Sequence, residues 1–228
     1  MTNSEEPIDQ SASYYLRYKR SIDRAIGLIF LIGAWGTAIP RSQVLDQIPI
    51  VLWLVVIFLF LTHNQKTQLF VFKFLLLILA GWSIEVMGVQ GGILFGKYGY
   101  GNLFGKSILA VPVVCGAIWL SNTLMMMQVS RYVLRIQGYW KTVLVAALCM
   151  TALDAFAQLP AFKIGFWSYK DMNYPPFFHS IGYFGISMLT CAAAGDDFVT
   201  HKNSGAISMA LIQTVFLVFL YTLALIFR

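Results

Sequence analysis

Residues 69–90 read LFVFKFLLLILAGWSIEVMGVQ, and this stretch decides the fold class. Only Lys73 and Glu85 carry charge within it. A helix needs about 20 mostly apolar residues to cross the roughly 30 Å hydrocarbon layer of a bilayer. The stretch meets that length, so we predict a transmembrane helix here.

The composition of the whole chain points the same way. Of its 228 residues, 58% are hydrophobic and 11% are charged, and the mean hydropathy is +0.71. Soluble globular domains carry roughly 25% charged residues. We therefore predict an all-α integral membrane protein, a bundle of about seven transmembrane helices.

The predicted spans form a single transmembrane domain over residues 24–228, preceded by a polar cytoplasmic tail over 1–23. This tail lacks the apolar core and the small-residue cleavage site of a secretory signal. The seven spans are placed at 24–40, 48–62, 69–90, 107–128, 140–159, 177–194 and 205–227.

Basic residues predict the orientation. With the N-terminus in the cytoplasm, ten Lys and Arg fall on the inner side and six on the outer side, which agrees with the positive-inside rule. We expect the protein in a bacterial inner membrane. The net charge of +6 favours contact with lipid headgroups rather than nucleic acid, because the basic residues flank the spans.

No metal or cofactor is expected from the sequence. His63 and His201 lie in predicted loops, and His179 has no ligand partner at helical or finger spacing. The three cysteines fall within predicted spans, where they are expected to pack as small apolar residues.

Only two of the ten carboxylates, Glu85 and Asp154, lie inside predicted spans. An ionised carboxylate at the centre of a membrane helix costs about 2.5–3.5 kcal/mol on insertion scales, so both should face the bundle interior. Burial favours the protonated form of a carboxyl, which can then donate a proton. Alternatively, each acid forms only a hydrogen bond between helices.

The two acids have matching surroundings, which suggests a parallel internal repeat of spans 3–4 and 5–6. Residues 81–100 read GWSIEVMGVQGGILFGKYGY, and residues 150–169 read MTALDAFAQLPAFKIGFWSY. In both, a glycine, an aromatic residue and a tyrosine follow the acid at +11, +13 and +15, and another glycine, Gly116 or Gly185, follows at +31. If the repeat is real, Glu85 and Asp154 face each other.

The aromatic residues of these loops are Tyr98, Tyr100, Trp167 and Tyr169. Tyrosine and tryptophan are common at the membrane interface, and these four fit that role by depth. Their π faces would also stabilise a carbocation formed beside a buried acid.

These residues resemble the carotenoid biosynthesis protein family that includes bisanhydrobacterioruberin hydratase. The resemblance covers roughly residues 80 to 190, and its first half is the more specific. It is carried by Glu85, Gly88, Gly92, Phe95, Gly96, Tyr98, Tyr100, Val111, Pro112 and Trp119, and then by Asp154, Pro160, Gly165, Trp167, Tyr169 and Pro176.

The resemblance implies a multi-span enzyme that adds water to the terminal double bond of an acyclic carotenoid end group, as in lycopene or a half-cyclised, γ-carotene-like relative. We expect Glu85 as general acid and Asp154 as the group that positions or deprotonates water, with the two roles exchangeable. Tyr98, Tyr100, Trp167 and Tyr169 are candidate walls of the site, and His179 or Asn122 would hold the water.

The chain departs from the family pattern in two places. Where the family tends to have Pro-x-x-Asn-x-x-Gly-Trp, residues 176–183 read PFFHSIGY, and a second family acid expected near Gln158 is missing. These changes bear on the substrate more than on the fold.

Two other functions remain open at this point. A carotenoid end-group cyclase uses the same protonation but excludes water and finishes by losing a proton. A small transporter would use Glu85 and Asp154 as a proton relay between the two repeats, although Pro112 has no clear partner within span six. Expected partners are a lipophilic carotenoid and the bilayer, with other enzymes of the carotenoid pathway as candidates.

Overall fold

The computed structural model describes residues 10–38, 45–92, 94–170 and 177–226. Seven α-helices make up most of these residues, joined by four short strands and a few single turns. The helices are α1 Gln10–Ala38, α2 Ile48–Leu61, α3 Gln68–Gly91, α4 Val114–Gln128, α5 Tyr139–Ile164, α6 Phe177–Ala194 and α7 Ser204–Ile226. The strands are β1 Tyr98–Tyr100, β2 Ser107–Ile108, β3 Val111–Pro112 and β4 Trp167–Tyr169.

The prediction of a helical membrane protein is confirmed in its coarse form. Among the described residues, α3, α5 and α7 are long and apolar enough to cross a membrane, and Leu45–Leu61 and Phe178–Ala194 are shorter apolar helices. Large apolar side chains on the outer faces of these helices, such as Leu75, Leu148 and Val215, are exposed, as lipid-facing residues are. The number of seven crossings stays a prediction.

Helix α1 extends into the residues of the predicted polar tail, and the division between tail and transmembrane domain stays a prediction. The helix begins at Gln10, and its buried Tyr15 donates a hydrogen bond to Asp23 at 2.8 Å. Polar residues can extend this helix because their side chains form hydrogen bonds with other side chains of α1 and with α7. Residues 1–9, the end of the first span beyond residue 38 and Pro176 lie outside the described residues.

The fourth predicted span begins too early, because residues 107–112 form a β-hairpin rather than a helix. Leu109 and Ala110 have φ values of 53° and 63°, the pair of positive angles that a two-residue hairpin turn requires. Pro112 lacks a backbone N–H and disfavours helical geometry in the residue before it. Helix α4 therefore starts only at Val114.

Helix α4 is the centre of the bundle. All its residues except Ile118 are buried, and it packs against α2, α3, α5, α6 and α7. Gly116 permits the closest approach, since a Cβ there would lie 2.1 Å from the carbonyl oxygen of Ile78 on α3.

The strands β1 and β4 join the loops that follow α3 and α5. Gly165 ends α5 with a φ of 87°, and a further hydrogen bond runs from the Gly101 N–H to the Phe166 carbonyl at 2.9 Å. The strands are antiparallel, with Tyr98 opposite Tyr169, Gly99 opposite Ser168, and Tyr100 opposite Trp167. Gly99 and Ser168, which each follow a buried acid by 14 residues, therefore lie opposite each other, as expected if the two loops are equivalent. The internal repeat itself stays a prediction.

Candidate active site

One cavity lies beneath the β1–β4 pair, and both buried acids line it. Helices α3, α4, α5 and α6 each contribute to the wall. The lining residues are Glu85, Phe95, Tyr98, Tyr100, Phe104, Cys115, Ile118, Trp119, Asp154, Gln158, Trp167, Tyr169, His179 and Tyr183.

Glu85 projects from α3 about two turns before the helix ends, and three neutral donors hold its carboxyl group. The Tyr98 hydroxyl and the Tyr100 hydroxyl, at 2.7 Å, both donate to Oε2. The Trp119 indole N–H donates to Oε1 at 2.7 Å. Both oxygens are therefore paired by groups that donate and carry no charge.

Both tyrosine hydroxyls are protonated and can donate hydrogen bonds. Burial and the neighbouring Glu85 raise the pKa of Tyr98 above its usual range, and burial also raises the pKa of Tyr100. Both hydroxyls keep their protons at physiological pH. Hydrogen bonds donated to a carboxyl group favour its ionised form, which opposes the effect of burial.

Asp154 projects from α5 and meets a different partner, the imidazole of His179 on α6. Its Oδ2 lies 2.8 Å from His179 Nε2, and its Oδ1 accepts a hydrogen bond of 2.9 Å from Gln158 Nε2. A carboxylate oxygen and a ring nitrogen both present lone pairs, so a contact this short requires a proton between them. A proton therefore lies between the two side chains, on the ring nitrogen or on the carboxyl oxygen.

Gln158 connects the Asp154–His179 pair to strand β4. Its Oε1 accepts hydrogen bonds from the Trp167 indole at 3.0 Å and the Tyr169 hydroxyl at 3.3 Å. Its Nε2 also lies 3.0 Å from His179 Nε2. On the other side of the ring, His179 Nδ1 lies 3.0 Å from the Tyr169 hydroxyl.

Aromatic rings form most of the remaining wall. Trp119 and Tyr183 stack at the deep end, with ring centroids 4.8 Å apart and an angle of 26°. Near the strands, Phe104 stacks on Phe166 at 4.7 Å. The cavity thus combines apolar rings with a small number of convergent polar groups.

The structure brings together all but one of the site residues predicted from the sequence. Asn122 does not line the cavity; it accepts a hydrogen bond of 2.9 Å from Gln213 on α7. The predicted residues that line it are Glu85, Asp154, Tyr98, Tyr100, Trp167, Tyr169 and His179.

Sequence reasoning did not assign roles to Trp119, Gln158 and Tyr183. Helical spacing would have found two of them, because Gln158 follows Asp154 by four residues and Tyr183 follows His179 by four, which places each on the same helix face as its partner. Trp119 lies 34 residues from Glu85, and no local spacing links the two.

Among the residues that the structure describes, no three His, Cys, Asp or Glu side chains come together as metal ligands do. The prediction that the site needs no metal or cofactor remains a prediction.

Comparison with known proteins then supplies the family. A model of the family described as carotenoid biosynthesis protein matches residues 46–228. The chain belongs to the carotenoid biosynthesis protein family. The match confirms the resemblance read from residues 80 to 190, and it spans every residue of the cavity. Membership assigns the protein to carotenoid biosynthesis. Comparisons with curated proteins and with solved structures gave no match.

Proposed function

We propose that the protein is a membrane carotenoid hydratase that adds water to the terminal double bond of an acyclic carotenoid end group, with lycopene or a γ-carotene-like compound as substrate. The observation that carries this proposal is the cavity itself, where an Asp154–His179 pair that holds a proton and a Glu85 carboxyl held by three donors share an aromatic wall. No cofactor is needed for the steps below.

The proposed first step is protonation of the alkene. The proton shared by Asp154 and His179 passes to the less substituted carbon of the terminal double bond, and the π electron pair becomes the new C–H bond. A tertiary carbocation remains on the neighbouring carbon. Once the proton has left, the two N–H groups of Gln158 face Asp154 Oδ1 and His179 Nε2 at 2.9 and 3.0 Å, so they stabilise the deprotonated pair.

The carbocation is stabilised by its surroundings until water attacks. The faces of Trp119 and Tyr183 offer cation–π attraction, and the ionised Glu85 supplies a full negative charge across the cavity. A water oxygen forms the C–O bond with one of its lone pairs, and Glu85 takes the proton from the resulting oxonium ion. The proton returns through the cavity to the Asp154–His179 pair, which restores the enzyme and leaves a tertiary alcohol.

These roles are the reverse of those first expected from the sequence, where Glu85 was the general acid. The exchange rests on the partners of each acid. Three neutral donors stabilise a carboxylate and oppose its protonation, whereas the Asp154–His179 contact depends on a proton.

In this proposal the aromatic cavity receives one end group of the carotenoid, and the polyene chain then extends into the bilayer. We propose a protein embedded in the inner membrane with its N-terminus in the cytoplasm, beside other enzymes of the carotenoid pathway.

The test is to produce the chain in a lycopene-accumulating bacterial host and to analyse the extracted pigments by liquid chromatography and mass spectrometry. A pigment heavier by one water supports the hydratase. A pigment of unchanged mass with altered retention and absorption identifies a cyclase instead. If lycopene is unaltered, the experiment is repeated with γ-carotene as substrate. If both compounds remain unaltered, the proposal is contradicted.

A further inference from the structure

Buried polar side chains continue from the cavity into the bundle along α4 and α6. On α6, His179 and Tyr183 line the cavity, and Ser187 follows on the same face after one more turn. On α4, Asn122 and Thr123 follow Trp119 in the same way. All of these side chains are buried. The faces that line the cavity therefore stay polar below its floor.

Some of these polar groups pair with each other. The Thr123 hydroxyl donates to the Thr190 hydroxyl at 3.3 Å, and Thr190 donates to the Ser187 carbonyl oxygen at 3.1 Å. Asn122 reaches the Tyr183 hydroxyl at the cavity floor and accepts from Gln213. We refer to Asn122, Thr123, Ser187 and Thr190 as the polar column.

Ser187 is the exception within the polar column. Its side chain is completely buried, and its hydroxyl has no hydrogen-bond partner among the described residues. Hydroxyls in helices usually donate to the carbonyl four residues earlier, as Ser83 and Thr214 do here at 2.9 and 2.8 Å. A buried hydroxyl without a hydrogen-bond partner costs about 1–3 kcal/mol of stability. We therefore expect the Ser187 hydroxyl to bind a partner other than a protein group.

We propose that the polar column is a water-binding site, anchored by Ser187 and Thr190, that supplies the water consumed in the cavity. Water both donates and accepts, and buried waters make about two to four hydrogen bonds to groups of this kind. Ser187 lies eight residues from His179, or about 12 Å along the helix. Tyr183, which lines the cavity and contacts Asn122, connects the column with the cavity.

The supply role rests on the proposed hydratase function, whereas water binding does not. In a hydratase, a column that delivers water would decide whether the carbocation is captured or loses a proton. Weakening the column should therefore change the product rather than stop protonation.

Two measurements test the proposal together. The first is a structure of the wild-type protein in lipid at a resolution that shows water. We expect density at hydrogen-bond distance, about 2.7–3.2 Å, from the Ser187 hydroxyl. A dry site, with this hydroxyl turned to its own helix carbonyl, overturns the proposal.

The second measurement is the product ratio of Ser187→Ala and Thr190→Val in the pigment assay. Each change removes one partner of the bound water, so hydrated pigment should fall about two- to tenfold relative to pigment of unchanged mass. Ser83→Ala and Thr214→Val remove hydroxyls that are already paired within their own helices, and they should keep the wild-type ratio.

The outcomes separate the two proposals. Water at Ser187 with an unchanged product ratio overturns the supply role. If the wild-type protein hydrates no carotenoid, the hydratase function fails, and the density at Ser187 alone decides whether the column binds water.

Discussion

Glu85 and Asp154 occupy equivalent positions, each on a long apolar helix that leads into a paired strand, yet their carboxyl groups meet different chemistry. Glu85 accepts from two tyrosines and a tryptophan. Asp154 shares a proton with His179 and accepts from Gln158. One architecture thus surrounds one carboxyl group with neutral donors and pairs the other with an imidazole.

This difference teaches that position does not assign the role of a buried acid. Both carboxyls have hydrogen-bond partners inside the bundle, as buried acids of membrane proteins usually do. Only the Asp154 side depends on a titratable partner. We infer a division of labour, with protonation by the Asp154–His179 pair and charge stabilisation and water deprotonation by Glu85.

The largest expected effect comes from exchanging each acid for its amide. Asp154→Asn should lower the rate by about 10³-fold, because it removes the proton carrier. Glu85→Gln should lower it by about 10²-fold, because it removes charge stabilisation. Rates of pigment conversion in membranes at equal protein content check this order. A larger loss in Glu85→Gln would return the general acid to Glu85.

The second prediction compares the tyrosines that lie opposite each other in the strand pair. Tyr98→Phe removes a donor from Glu85, and Tyr169→Phe removes the contact with His179 Nδ1 and Gln158. Each should cost about tenfold in rate, the size of one hydrogen bond to a charged group.

In double variants, Tyr98→Phe should add little to Glu85→Gln but act in full on Asp154→Asn. If Tyr98→Phe lowered the rate by the same factor in both acid variants, the two halves of the cavity would not be separate functional units.

The third prediction concerns the stability of the fold at Gly116 and Gly185, the glycines that follow the two buried acids by 31 residues. Gly116→Ala places a Cβ against the Ile78 carbonyl oxygen and should destabilise the fold by about 1–3 kcal/mol. Gly185→Ala meets nothing within 4 Å and should leave stability unchanged or slightly raised. Thermal unfolding in detergent measures both. Equal losses would mean that the two halves pack alike, contrary to the structure.

The smallest effect on the rate of conversion is expected at His63, a histidine that does not line the cavity. His63 stacks on Phe70, and burial lowers its pKa from 6.5 to about 4. The unfolded chain binds this proton more readily, so the stability contributed by neutral His63 is present above about pH 6.5 and is lost as the pH falls towards 4.

Unfolding temperatures of the wild type and His63→Leu between pH 7 and 4 check this contribution. The wild type should lose more stability than the variant over that range, and parallel curves would contradict it.

Much of the site could be predicted because its signals are local. A carboxyl inside an apolar stretch stands out, and the spacing from each acid to its loop aromatics is fixed along the chain. Residues 107–113 were wrongly assigned to a helix, because their apolar character masks a turn set by the backbone at Leu109 and Ala110. The partners Trp119 and His179 depend on packing between helices, which single-chain periodicity does not encode.

The positions at which the sequence analysis expected a departure from the family pattern meet in the cavity. Gln158 and His179 both contact Asp154, and Tyr183 stacks on Trp119. Their order along the chain did not place them in one site.

The most direct test of protonation followed by water capture is the conversion of lycopene by the purified protein in heavy water. After back-exchange of the hydroxyl group in ordinary water, the product mass is measured. We predict a pigment heavier than lycopene by one water in which one hydrogen is replaced by carbon-bound deuterium, because the proton given to carbon comes from an acid that exchanges with solvent. A hydrated product without carbon-bound deuterium, or unaltered lycopene, would contradict the account.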